Sequence, residues 1–476
     1  MKRIIRIILA LVIGFGIVNV FKPLPEGLNF KGEEQEVENV RFLADRTFVN
    51  ARGEREIQQE IFDEVLNMIR QARSIIVVDM FLFNDYLGAL EEEPYRALSS
   101  ELTAALVAQK QRYPNLHISV ISDPINTVYG GARSEHFDQL REAGIQVTVT
   151  DLTRLRSSNP IYTTFWAPFV SPFGNKEANT VPNPFGEGGV SIRSYLALLN
   201  FKANHRKVVL SDHEDTLVAL VTSANPHDGS SAHGNVALQF SGAAAHDLLQ
   251  SEMAVLDMSN AFIPMLHLPV PERPESSTSN SDTTVQVLTE GAVERALLEI
   301  IGNAERDEWL DLAVFYMSDR HVIEALIEAS QRGVNIRVLL DPNKDAFGRE
   351  KNGIPNRPVA HELVSEGIAV RWCNTQGEQC HSKWLMHRTR EGHATMVLGS
   401  TNFTRRNMHN LNLETSVVLR GDSEQPALDS AHQWFEQRWF NLDGHQYSIE
   451  YAVYADDSKL NQLLYRVMEA TGLSTF

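Results

Sequence analysis

The amino-acid sequence predicts an α/β fold of two similar lobes packed as a pseudo-twofold dimer within one chain, each lobe a central, largely parallel or mixed sheet flanked by helices. Three observations carry this expectation. A helix-then-strand order recurs in the two halves. The strand segments are apolar without alternation, as strands covered on both faces are. A His-x-Lys segment followed by a small-polar turn with Asn occurs once per half. The 476 residues also exceed the ~250–300 that one core usually supports.

The first element is residues 1–22. Lys2, Arg3 and Arg6 precede an apolar stretch from Ile7 to Val18, and no small-x-small cleavage site follows. This predicts an uncleaved membrane anchor, with a secretory signal as the alternative. The basic flank before it and Glu33, Glu34, Glu36 and Glu38 after it place the body on the non-cytoplasmic (periplasmic or extracytoplasmic) side.

The first lobe is expected over residues 39–268. Ile57, Ile61, Val65, Met68 and Ile69 recur at helical spacing before the apolar run 74–85. The second lobe, 285–476, repeats this with Val293, Leu297, Ile300, Ile301 and Ala304 before residues 309–319. A second helix then precedes matched strands within 117–124 and 332–342, and 142–149 pairs with 366–372. Residues 269–284, dense in Pro, Ser and Thr, are a predicted linker. The first half also carries an insertion at about 152–203. Phe165, Trp166, Phe169, Phe173, Phe185 and Tyr195 alternate there with Pro168, Pro172, Pro182 and Pro184, which excludes a long helix. It reads as a long covering loop or as an aromatic lip for acyl chains or a bilayer interface.

Composition narrows the function. At 43% hydrophobic and 22% charged residues, neither wholesale disorder nor a polytopic membrane protein fits. A net charge of −18 with no basic run beyond the first residues disfavours general nucleic-acid binding. Two cysteines, Cys373 and Cys380, cannot assemble a thiolate metal cluster; flanking a short polar loop before His381, they are either a disulfide or two free thiols. His361-Glu362 lacks the second His of a zinc-protease helix, and no Gly-rich phosphate loop occurs, so neither metal nor cofactor is expected in the reaction.

The chemistry concentrates in the duplicated motif. His205 and Lys207 precede the turn Thr222-Ser223-Ala224-Asn225; His381 and Lys383 precede Gly399-Ser400-Thr401-Asn402. One His-x-Lys is weak, with about 0.4 expected by chance, but two in register with matching turns are specific. Residues two apart share a strand face, so each pair presents imidazole and ammonium together. Two such units facing each other make a pocket for a phosphodiester. Lys207, Lys383, Asn225 and Asn402 would stabilise its oxygens, one imidazole would attack phosphorus, and the other would serve as acid and base.

These residues resemble the phospholipase D superfamily, the HKD phosphodiesterases, over nearly everything from about Asn39 to the C-terminus. The motif is His-x-Lys-x4-Asp followed by Gly-Ser-x-Asn. His205, Lys207 and Asp212 match it, with Thr222 in place of Gly; His381, Lys383, Gly399, Ser400 and Asn402 match it, with Arg388 in place of Asp. Asp212, Ser223 and Ser400 are therefore supporting residues. The resemblance implies an acidic residue after the Asn turn that hydrogen-bonds the catalytic His. Glu414 fills this place in the second half, whereas the counterpart in the first is Ala237, with Asp228 as a substitute. A carboxylate in the second half nominates His381 as nucleophile; the resemblance nominates His205, which is preferred here, with His381 as acid/base. The implied activity is a phosphodiesterase or phosphatidyltransferase acting on phospholipid headgroups through a phosphohistidine, cardiolipin synthase-like, with water or an alcohol as acceptor and a membrane surface as partner. A nuclease of the same superfamily and a non-catalytic lipid-binding scaffold are the alternatives.

Overall fold

A computed structural model of the chain describes residues 2–88, 95–264, 282–346 and 349–474. Each half builds one mixed sheet. In the first, the spatial order is Arg55–Gln58, Val40–Val49, Asn235–Ser241, Thr216–Thr222, Lys207–His213, Ile75–Met80, His117–Ser122 and Gln146–Val149. The last three strands run parallel, and the remaining pairings are antiparallel. In the second, Thr284–Thr289, Thr415–Asp422, His393–Gly399, Lys383–Arg388, Trp309–Val314, Asn335–Leu340 and Ala369–Cys373 repeat the order, again with three parallel strands at one side.

The absence of polar alternation follows from burial on both faces. Val209 joins the outer core of the first lobe with Ile61, Leu102 and Phe137, while its neighbours Val208 and Leu210 face the opposite way. There they share one core with Trp384, Met386 and Leu398 of the second lobe. Leu385, between Trp384 and Met386, packs into the second lobe's own outer core. Each His-x-Lys strand is thus held between its own helices and the other lobe. The chain ends also cross over, since Gln35–Glu36 pairs with Thr284–Thr289 and Val49 bridges Gln446.

Several expectations change. Ile57 lies in the strand Arg55–Gln58; the helix begins at Ile61, where Asp45 accepts the amides of Glu60 and Ile61 and replaces a side-chain N-cap. Residues 269–281 of the predicted linker lie outside the described residues, and Thr284 already begins a strand. The insertion is not one covering loop. It holds the helices Pro160–Phe169 and Ile192–Leu198 and a small hairpin pairing Val181–Pro182 with Gly189–Val190. Both helices are short; Pro172 follows soon after the first, which already contains Pro168.

Residues Lys2–Phe21 form one helix. It lies against Pro160–Phe169, where Gly16 meets Thr164 without room for a Cβ, and the amide of Ser157 donates to Asn19 O. Leu11, Ile17, Val18 and Phe21 remain exposed. Among the described residues no helix is long and apolar enough to cross a membrane.

Candidate active site

The two His-x-Lys segments meet at the lobe interface, each braced by a backbone pairing with the other lobe. His205 N donates to Leu413 O at 2.9 Å and Leu413 N to Ala203 O at 3.0 Å; His381 N donates to Gly234 O at 2.8 Å and Gly234 N to Gln379 O at 2.9 Å. A second brace holds the residue before each histidine. Asp123 accepts Asn204 N at 2.7 Å, and Asp341 accepts Cys380 N at 2.8 Å.

This crossing decides the histidine partners. His205 Nδ1 donates to Glu414 Oε1 and Oε2 at 2.9 and 3.1 Å, although Glu414 belongs to the other lobe. His381 Nδ1 lies 3.1 Å from Asn235 Oδ1. The carboxylate therefore orients His205, not the histidine of its own half. The true counterpart of Glu414 is Asn235: Ser400 donates to Glu414 as Ser223 donates to Asn235. Ala237 is a buried core residue of the adjoining strand, and Asp228 accepts Ser99 N and Oγ instead of replacing the missing carboxylate.

The remaining groups are arranged with near symmetry. Lys207 Nζ donates to His205 O and Lys383 Nζ to His381 O, each at 2.7 Å. Phe81 stands 4.8 Å from the His205 ring and under Lys207, and Phe315 stands 4.9 Å from the His381 ring and under Lys383. Asn225 Oδ1 accepts Leu82 N at 3.2 Å, which leaves its NH2 as a donor; Asn402 Oδ1 is buried with no hydrogen-bond partner among the described residues. Asp212 sits at the far end of its strand and accepts the amides of Arg73, Ser74 and Ile75, while Arg388 at the matching place reaches Asp311 at 3.0 Å. Both positions are structural. Cys373 and Cys380 form a disulfide immediately before His381.

Comparison with known proteins bears on the fold and on the second lobe. Residues 297–439 match the family model described as cardiolipin synthase, PLD-like domain. The chain carries a phospholipase D-like domain. The crystal structure of phosphatidylserine synthase from Haemophilus influenzae Rd KW20 is similar in fold, with a TM-score of 0.57 at 12% identity over 94% of this chain and 96% of its own. A polyphosphate kinase from Porphyromonas gingivalis gives 0.47 at 14% identity over 91% and 53%, and the phospholipase D family member Nuc from Salmonella typhimurium 0.28 at 21% over 36% and 99%. No curated protein matches the chain in sequence.

In this centre, burial dominates the electrostatics. It lowers His205 well below the usual imidazole range, helped by Lys207 and Lys383. His381 is lowered in the same way, by burial and then by Lys383, His233, Lys207 and His205. Burial brings Lys207 down to about 7 against the pull of Glu414, Asp79 and Asp123. It pushes Glu414 up to about 8 against Lys207 and the hydrogen bonds of Ser400 and Asn407. When Glu414 is ionised, a neutral His205 whose Nδ1 proton it holds has its Nε2 lone pair free.

The seven predicted site residues thus gather around the two His-x-Lys strand starts, the two Asn turns and, for Glu414, the start of Thr415–Asp422. Sequence reasoning missed Asn235, Phe81, Phe315, Asp123 and Asp341. The last two carry a signal, because Asp-Pro ends both matched strands. A cavity of about 730 Å³ lies between the first lobe and its insertion, lined by Asn84, Asp85, Asn126 and Glu135 and by Glu177, Asn183 and Phe185 of the insertion; none of the predicted site residues lines it.

Proposed function

We propose that the protein is a phospholipid phosphodiesterase or phosphatidyltransferase working through a phosphohistidine on His205, of the headgroup-exchanging kind to which cardiolipin synthases belong. The observation that carries this reading is the unequal pairing of two buried imidazoles, one with the carboxylate Glu414 and one with the carboxamide Asn235, beside two buried lysines.

In the first step His205 Nε2 attacks phosphorus, the P–O bond to the leaving alcohol breaks, and His381 passes its proton to the departing oxygen. In the second, His381 takes the proton of water or an acceptor alcohol, whose oxygen attacks phosphorus and releases His205. The phosphodiester anion between Lys207 and Lys383 raises the proton affinity of His381, which a general acid needs. Lys207, Lys383, Asn225 and Asn402 stabilise the equatorial oxygens. The exposed faces of Lys2–Phe21 (Leu11, Val18, Phe21) and Pro160–Phe169 (Ile161, Phe165, Phe169) form the surface that meets the lipid, with the basic Lys2, Arg3 and Arg6 at its end. The disulfide fits a body on the oxidising, non-cytoplasmic side.

The test incubates the full-length protein with phospholipids or single-stranded DNA, with glycerol as acceptor and with chelator. Lipid products that persist in chelator, together with phosphate label on the His205 peptide, support the reading. Label on His381 reverses the roles; cleavage of DNA alone makes the protein a nuclease; lipid binding without turnover makes it a scaffold.

A further inference from the structure

Outside the centre, the second lobe gathers two histidines and two carboxylates from three separate elements. Glu294 comes from the helix Gly291–Asn303, Asp319 and His321 from the start of Arg320–Arg332, and His409 from the segment joining Asn402 to Glu414. One ligand atom from each lies within 4.8 Å of the others. His321 Nδ1 is 2.7 Å from Glu294 Oε1; His409 Nε2 is 2.8 Å from Asp319 Oδ2 and 3.3 Å from Glu294 Oε1. The two imidazoles stack at 5.3 Å with 11° between their planes. Among the described residues, the ion-pair partners of Glu294 and Asp319 are these histidines alone. A second group, Asp311, His432 and Glu436, differs here, because Arg337 and Arg388 already neutralise its carboxylates.

The ligands are also positioned from behind. Asp319 uses Oδ1 to cap its helix at Val322 N, which leaves Oδ2 for the cluster. The amides of Ser318 and Asp319 both donate to Phe403 O, next to Asn402. Two imidazole nitrogens and two carboxylate oxygens suit a four-coordinate, borderline ion and suit Mg²⁺ or Ca²⁺ poorly.

We propose that Glu294, Asp319, His321 and His409 bind a divalent first-row transition ion, Zn²⁺ foremost, as a staple outside the reaction centre. Its place follows from chain order: His409 lies between Asn407, which donates to Glu414, and Asn412, which accepts Ala203 N. An ion here ties the segment that delivers Glu414 to His205 onto the two helices of its own lobe, and takes no part in bond breaking.

Tag-free, full-length protein is stripped with chelator, equilibrated with buffered Zn²⁺ and dialysed, and its zinc is counted by mass spectrometry. The expected result is about one equivalent for wild type and for His432→Gln, with loss in His321→Gln and His409→Gln. Loading with Co²⁺ is expected to give the intense visible bands of a four-coordinate site in wild type and His432→Gln, and not in His321→Gln or His409→Gln. If His409→Gln does not fold, His321→Gln decides, since its ring is largely exposed. Zinc absent from wild type, or kept by His321→Gln at the wild-type level, overturns the proposal, and neither readout depends on phospholipid turnover.

Discussion

Replacing Glu414 by Gln changes one atom and tests the centre of the mechanism. Glu414 is fully buried and in its ionised form acts only as an acceptor: His205 Nδ1 lies 2.9 and 3.1 Å from its two oxygens, Ser400 donates to one and Asn407 to the other. Glutamine offers one oxygen to these three donors. If its NH2 turns to His205, Nδ1 becomes the acceptor and the ring proton moves to Nε2, the nitrogen that must attack. A wrong tautomer at a carboxylate-oriented histidine costs roughly 10³–10⁴ in kcat, about 4–5.5 kcal/mol on the barrier. Asn235→Ala removes only a neutral acceptor, 3.1 Å from His381, with an expected loss of about 10–100-fold, about 1.4–2.7 kcal/mol. The assay is the initial rate of headgroup release from a labelled phospholipid in mixed micelles, with circular dichroism to confirm that both variants fold. Folded Glu414→Gln within tenfold of wild type, or Asn235→Ala the slower of the two, would refute the division of roles.

The pH profile follows from Lys207. Its folded-state pKa, lowered by burial to about 7, means that its charge is present below that value and lost as pH rises through it, so kcat/KM falls on the alkaline side from about 7. On the acid side His205 stays neutral to well below the usual imidazole range, so the acid limb belongs to Glu414, whose carboxyl, pushed up to about 8 by burial, takes up a proton as pH falls through that value and loses its acceptor role. Lys207→Arg, which keeps its charge, is expected to move the alkaline limb upward; an unmoved limb assigns it to another group. Reducing Cys373–Cys380, a loop with a separation of seven residues, is expected to cost about 2.5 kcal/mol and to lower both the thermal midpoint and turnover, because the bond precedes His381; a midpoint indifferent to reductant contradicts this. Asp212→Ala strips the acceptor from three backbone amides, with an expected cost of about 2–4 kcal/mol in denaturant unfolding and kcat of the folded protein within about threefold; a large loss of kcat would move Asp212 into the chemistry.

The duplicated helix and strand order was legible because its signal is local. Apolar runs such as 75–80 and 309–314 show their two-sided burial in their composition, and the shared face of His205 with Lys207 follows from the strand period. The insertion was less legible. Its prolines limit helix length but do not forbid the ten-residue helix Pro160–Phe169, which gains a partner in Lys2–Phe21, far away in sequence. Counting from the Asn turns misplaced the first-half counterpart of Glu414, because Ser223 to Asn235 spans 12 positions and Ser400 to Glu414 spans 14.

By itself the sequence determined that two imidazoles, two ammoniums and two carboxamides exist in matched halves, since each motif is written within a few consecutive residues. Only the tertiary structure decided which histidine receives the carboxylate. The hydrogen bond from His205 to Glu414 spans 209 positions and crosses the lobe interface, and it depends on the pairing of His205 with Leu413 across that interface. No local periodicity encodes a contact of that kind; it comes from the shared core that presses Val208 and Leu210 against Trp384 and Met386.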